Sequence, residues 1–84
     1  MVKIVLVGAG SSVFGYNSVL DAVNIPALHG SELMLHDIDE QRLKVMTGLA
    51  ERMNREAEAD LMINHTINQE EALDEADYVL MSIE

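Results

Sequence analysis

The sequence predicts an α/β fold in which helices cover both faces of a parallel sheet. A β-branched apolar segment, residues 3–7, leads directly into the turn Gly8-Ala9-Gly10. Short apolar segments then alternate along the chain with segments of helical periodicity. An aspartate, Asp37, stands at the end of the second apolar segment. This combination favours a Rossmann-type sheet with right-handed crossovers.

Four segments are predicted as strands, because each is short, apolar and flanked by polar or turn-forming residues: residues 3–7, 32–37, 61–65 and 77–83. In the usual order of a dinucleotide fold these strands lie 3-2-1-4, which leaves the fourth strand as a hydrophobic edge. We therefore expect residues 1–84 to be a partial dinucleotide-binding domain of a truncated fold, or a domain that covers this edge as a homo-oligomer.

Three helices are predicted between the strands: residues 13–24, a long helix from residue 40 to about residue 57, and residues 69–75. The first helix ends before Pro26, because proline disfavours the helical conformation in the preceding residue. A glycine-containing connection, residues 27–31, follows it. Asp39 and Asn68 stand where N-caps belong, and Asn68 has capping-box spacing to Glu71.

The composition limits the classes of function. The 84 residues carry 15 acidic and 5 basic side chains, and the net charge of −10 argues against nucleic-acid binding, which needs a basic patch. No apolar segment approaches the roughly 20 residues of a membrane-spanning helix. The chain has no cysteine, and therefore neither disulfides nor thiolate ligands. We expect a soluble, cytoplasmic domain without nucleic-acid or membrane partners.

The turn after the first strand is the candidate nucleotide site. Glycine at positions 8 and 10 lets the chain turn sharply and lets backbone N–H groups approach a pyrophosphate without an intervening Cβ. The first amides of the next helix lie at the positive end of its dipole and add to this anion site. The residues predicted to bind the pyrophosphate are Gly8, Gly10, Ser11, Ser12, Val13 and Phe14. Such a site needs no basic side chain.

The fingerprint G-x-G-x-x-G is matched only in part. Val13 occupies the position of the third glycine, and Gly15 lies further along the same predicted helix. We expect Gly15 to allow a close helix-to-strand contact. A glycine-rich turn alone is a weak signal, but a strand before it, a helix after it and an acid at the end of the next strand make it specific.

Asp37 is predicted to bind the adenosine ribose, because a carboxylate at this strand end can accept hydrogen bonds from both ribose hydroxyls. A 2′-phosphate would be repelled by it, and Ile38 brings no cation, so NAD is favoured over NADP. The alternative role for Asp37 is to form the turn in which Asp39 starts the next helix. Thr66 and Ser82, at the ends of the third and fourth strands, are further candidates for the adenine and ribose side.

No metal site or catalytic residue is predicted within the chain. His36 and Asp37 are neighbours on a strand, so their side chains point to opposite faces of the sheet and cannot join Asp39 around one ion. The remaining histidines, His29 and His65, have no acid or nucleophile at a spacing that indicates catalysis.

Four segments of the sequence resemble the N-terminal region of family 4 glycoside hydrolases: residues 4–14 with the Gly-Ala-Gly-Ser turn, 26–33, 35–40 and 71–79. Members of the α-glucosidase, α-galactosidase and α-galacturonidase type also lack the third glycine. Val13 therefore departs from the general fingerprint but not from theirs.

This resemblance implies NAD as cofactor and an oxidation and elimination route to glycoside cleavage, distinct from the two-carboxylate mechanism. It implies that NAD accepts a hydride from sugar C3, that a divalent metal, usually manganese, stabilises the enolate, and that a base removes the C2 proton. The metal ligands and the tyrosine base of the family have no counterpart here, and neither Tyr16 nor Tyr78 is assigned that role. We expect the 84 residues to bind NAD, to need the rest of the enzyme for the glycoside substrate, and to be inactive alone.

Three alternatives stay open at this stage. A lactate or malate dehydrogenase has a related fold and a similar Asp-Ile-Asp strand end, but usually keeps the third glycine where this chain has Val13. A non-enzymatic dinucleotide sensor, such as a potassium-channel regulatory domain, usually keeps it too. A methyltransferase would need additional glycines in the loop.

Overall fold

A computed structural model describes residues 2–82, with the side chain of residue 12 left aside, and places four parallel strands in one sheet. The strands are β1 (Lys3–Val7), β2 (Glu32–His36), β3 (Met62–Thr66) and β4 (Tyr78–Met81). Their order is β3-β2-β1-β4, and every pairing is parallel, which confirms the predicted order 3-2-1-4. The predicted strand bounds differ by one residue at β2, at β3 and at the start of β4. Ser82, predicted to be in β4, lies beyond the end of the strand, and the predicted end at residue 83 lies outside the described residues.

The crossovers are the helices α1 (Ser12–Asn24), α2 (Glu40–Ala57) and α3 (Gln69–Leu73). The third helix is two residues shorter than predicted, because the backbone of Asp74 is already extended, with a ψ of 122°, and Glu75 then takes a left-handed φ of 57°. The connection after α1 contains a 3₁₀ turn, Pro26–Leu28, which the sequence analysis missed. Among the described residues, no helix is long and apolar enough to cross a membrane.

The two predicted N-caps are confirmed. The Asp39 carboxylate accepts a hydrogen bond from the amide of Arg42 at 3.0 Å, and the Asn68 side chain accepts one from the amide of Glu71 at 3.0 Å. The second half of a capping box is not formed, because the amide of Asn68 donates to the Thr66 hydroxyl instead.

Apolar side chains alternate between the two faces of the sheet. Ile4 and Leu6 of β1 face α1 and α2, and they belong to the larger of two buried clusters. Val5 of β1 faces the opposite side and packs with Met34 and with Ala72 of α3. Helices therefore cover both faces, as predicted, and α1 and α2 share one of them.

Strand β4 is the open part of the fold. Its four side chains are all exposed, from 43% at Val79 to 62% at Tyr78. The start of the strand is anchored, because the Asp77 carboxylate accepts a hydrogen bond from the amide of Lys3 at 2.7 Å. The ammonium group of Lys3 in turn donates to the carbonyl of Asp74 at 2.6 Å. The described part of β4 is thus a hydrophobic edge, as the sequence predicts.

Candidate functional site

The turn between β1 and α1 is tied to the end of β2. The amides of Gly8 and Ala9 both donate to the carbonyl of His36, at 2.9 and 3.0 Å, and the amide of Ser11 closes the turn on the carbonyl of Gly8 at 3.0 Å. Gly8 has a φ of +85°, and a Cβ built on it would lie 2.9 Å from the Cβ of Ser82. Both the backbone angle and the space around it therefore call for glycine at position 8.

Asp37 lies directly against this turn. One carboxylate oxygen, Oδ2, accepts a hydrogen bond from the amide of Gly10 at 2.8 Å, and Oδ1 accepts one from the amide of Asp39 at 2.8 Å. A Cβ on Gly10 would lie 2.7 Å from Oδ2 and 2.8 Å from the Cβ of Arg42. Glycine at position 10 thus admits the carboxylate and the stem of Arg42, a reason that the sequence analysis did not find.

Both roles considered for Asp37 fit this geometry. The bond to the amide of Asp39 forms the turn that starts α2, and the bond to Gly10 holds the carboxylate beside the glycine-rich turn. An ionised carboxylate has about four lone-pair sites, so these two bonds leave about two for other donors. The Gly10 amide, which the sequence analysis assigned to a ligand, is engaged by Asp37 in this structure.

A cleft of about 490 Å³ opens beside the turn, a size typical of small-ligand sites. Its lining residues come from the ends of β1, β2 and β4 and from the start of α2: Gly8, Ser11, Asp37, Ile38, Asp39, Arg42 and Ser82. Because the carboxyl ends of parallel strands meet at this edge of the sheet, the cleft occupies the usual position for a ligand in such folds.

Most of the predicted site residues fall into two groups. Gly8, Ser11, Asp37 and Ser82 line the cleft together. The amides of Ser12, Val13 and Phe14 lie in the first turn of α1 and precede the first hydrogen bond within the helix. That first bond is donated by the amide of Gly15 to the carbonyl of Ser11 at 2.8 Å.

Thr66, also a predicted site residue, lies away from the cleft and from the glycine-rich turn. It ends β3, two strands away from β1 in the sheet. Its hydroxyl accepts a hydrogen bond from the amide of Asn68, and its carbonyl is bonded to the Nδ1 of His36 at 3.0 Å. These contacts give Thr66 a structural place at the start of α3.

Arg42 is the cleft residue that sequence reasoning missed. Its Nε lies 3.5 Å from Oδ2 of Asp39, and its side chain is 71% exposed. The argument from Ile38 therefore left out a cation that lines the same cleft. The spacing contained a signal, because residues three apart at the start of a helix are neighbours on its surface.

Gly15 has a steric role that differs from the predicted one. A Cβ on Gly15 would collide with the carbonyl oxygen of Ala9 and lie 2.9 Å from the Cε of Met46. Glycine is therefore required at position 15 because α1 lies close to the glycine-rich turn and to α2. The expected contact between this helix and a strand is not the reason.

His36 takes no part in the cleft. His36 is buried, and Nδ1 of its ring is hydrogen-bonded to the carbonyl oxygen of Thr66. Asp37, in contrast, contacts the glycine-rich turn. Within residues 2–82, no three His, Asp or Glu side chains lie close enough together to hold a metal ion.

A parallel sheet of order 3-2-1-4, with a glycine turn after β1 and an acid after β2, defines a Rossmann-like fold of the dinucleotide-binding type. The model of one family, described as Family 4 glycosyl hydrolase, matches residues 3–84. The chain belongs to this family. That assignment confirms the resemblance seen in the sequence and decides against the dehydrogenase, sensor and methyltransferase alternatives.

Individual relatives agree with the assignment. An α-glucosidase of Erwinia rhapontici is 40% identical over 82 residues, which are 98% of this chain and 18% of that protein. An α-galactosidase of Bacillus subtilis (strain 168) is 34% identical over 84 residues, 100% of this chain and 19% of that protein. The chain thus spans about a fifth of the length of these relatives.

A solved structure shares the fold closely. A 6-phospho-α-glucosidase from gut microorganisms, in complex with NAD and glucose 6-phosphate, superposes with a TM-score of 0.84 at 27% identity. The match covers 98% of this chain and 19% of that one.

Proposed function

We propose that this chain is the NAD-binding portion of a family 4 glycosidase. The observation that carries the proposal is the contact between Asp37 and Gly10, which brings the strand-end acid and the glycine-rich turn into one cleft. The solved relative that contains NAD has the same fold, which supports the choice of cofactor.

The residues present fit a dinucleotide. The first amides of α1, at Ser12, Val13 and Phe14, together with the Ser11 hydroxyl, would bind the pyrophosphate at the positive end of the helix dipole. The unused acceptor sites of Asp37 would take the ribose hydroxyls, and Ser82 would contact the cofactor from the end of β4. The Asp37 carboxylate would repel a 2′-phosphate, so NAD is favoured over NADP.

When bound, NAD would supply hydride transfer at sugar C3, the oxidation that starts the elimination route. This chain would contribute the binding and orientation of the cofactor. It has no cysteine to offer as a metal ligand, so we propose that the divalent metal, most simply manganese, the C2 base and the glycoside site belong to other parts of a longer, homo-oligomeric enzyme. The 84 residues alone would then be inactive.

Titration of the ¹⁵N-labelled chain with NAD and with NADP, followed by NMR, tests the proposal. We expect NAD to shift the amides of Gly8 and of residues 11–14, and NADP to bind more weakly. Asp37→Asn should weaken NAD binding by about tenfold or more, because an amide replaces a carboxylate that accepts charge-assisted hydrogen bonds.

Glu51→Gln is the matched control, since it removes the same charge at an exposed position of α2 and should leave NAD binding unchanged. Equal affinity for NADP would contradict the role of Asp37. Shifts that cluster on β4 and spare the glycine-rich turn would overturn the proposed site.

A further inference from the structure

The cleft contains three charged side chains whose positions depend on one another. The stem of Arg42 lies over the glycine-rich turn, where its Cβ would be 2.8 Å from a Cβ on Gly10. The guanidinium group is anchored at Nε by Asp39, at 3.5 Å, and is otherwise largely exposed at the rim of the cleft. Asp37 lines the same cleft. The cleft proposed to bind the ribose end of a dinucleotide therefore has a cation in its lining.

The orientation of Asp39 is set by its second contact. Oδ2 of Asp39 faces the side chain of Arg42. Oδ1 of Asp39 accepts a hydrogen bond from the backbone amide of Arg42 and so caps the start of α2. This cap fixes the rotamer of Asp39 and so presents its other oxygen to the guanidinium group. Within residues 2–82, Asp39 provides the one carboxylate oxygen that lies within 4 Å of a side-chain nitrogen of Arg42.

We propose that Asp39 determines cofactor specificity by holding Arg42 away from a 2′-phosphate. The inference rests on the proposed function of this cleft and names the residue that enforces the choice of NAD. With both acids ionised, Asp37, Asp39 and Arg42 sum to one negative charge at the rim, which repels a phosphate dianion. Without the charge of Asp39 the sum is zero, and the planar donors of Arg42 are free for bidentate contact with phosphate. NAD has no 2′-phosphate, so its affinity should change little when the charge of Asp39 is removed.

Asp39→Asn separates the two roles of this residue. Asparagine caps a helix about as well as aspartate, so α2 keeps its start, while the ion pair is lost. The dissociation constants of NAD and NADP are measured for the wild-type chain, Asp39→Asn and the double variant Asp39→Asn/Arg42→Gln at low salt. Amide spectra check that each variant is folded. We expect the ratio of NADP to NAD affinity to rise about tenfold in Asp39→Asn and to return close to the wild-type ratio in the double variant.

Glu40→Gln is the control for net charge, because it removes one exposed acid in the same helical turn without touching the ion pair. An unchanged ratio in Asp39→Asn, a shift that persists without Arg42, or an equal shift in Glu40→Gln would each overturn the inference. If the wild-type chain binds NAD and the ratio of NADP to NAD affinity is the same in Asp39→Asn, the role of Asp39 is overturned but the proposed function stands. If the folded wild-type chain binds neither dinucleotide, the proposed function fails and the inference fails with it.

Discussion

The two faces of the sheet are closed to very different extents. On one face, α1 and α2 bury a continuous cluster against β1 and β2 that includes Leu6, Leu33, Leu35 and Leu43, each about 1% exposed or less. On the other face, Ala72 of the five-residue α3 packs with Val5 and Met34, and these three form the buried cluster of that face in the described part of the chain. The number and length of the helices on a face therefore decide how much of it is buried. The cleft includes the start of α2, a helix of the well-packed face, which gives its residues rigid support.

The strongest test of this comparison uses two neighbours on β2. Leu35 lies in the larger cluster and Met34 in the smaller one. We expect Leu35→Ala to lower the free energy of unfolding by about 4 kcal/mol and Met34→Ala by about 2 kcal/mol, because a cavity among more fixed neighbours costs more. Urea unfolding measures both, and equal losses would show that the two faces are packed alike.

A second test concerns the two glycines inside helices. Gly15→Ala should destabilise the fold by about 3 kcal/mol, since the new methyl group meets the backbone of Ala9 and cannot displace it easily. Gly48→Ala in α2 meets nothing within 4 Å and should stabilise the fold by about 0.5–1 kcal/mol. Thermal unfolding followed by circular dichroism compares them. A loss of stability in Gly48→Ala would mean that α2 is strained for another reason.

The smallest effect on stability is expected at the edge strand. Leu80 in β4 and Val45 in α2 are both exposed apolar residues, at 48% and 71%. Replacing either by lysine should change the free energy of unfolding by about 0.5 kcal/mol or less. Only Leu80→Lys should reduce self-association in sedimentation experiments, because lysine on an edge strand opposes further strand pairing. A wild-type chain that stays monomeric at high concentration would contradict the predicted association.

Most of the fold could be predicted because its signals are local. Alternation and β-branching indicate the strands, polar stripes and caps indicate the helices, and the crossover rule orders the strands. The misses are also local but depend on backbone angles that residue type does not dictate. The end of α3 is an example, since Asp74 has an extended ψ of 122° and Glu75 follows it with a left-handed φ that glutamate rarely adopts.

By itself, the sequence determined which residues stand at the glycine-rich turn, that an acid, Asp37, stands where the second strand ends and that Asp39 caps α2, because each of these follows from chemistry within one segment. Only the tertiary structure decided that Asp37 accepts the amide hydrogen of Gly10 and that Arg42 joins the cleft. Those contacts join segments that meet only when β1 and β2 pair in register and α2 packs beside the turn. Spacing along the chain does not specify which side chains of such separate segments come into contact.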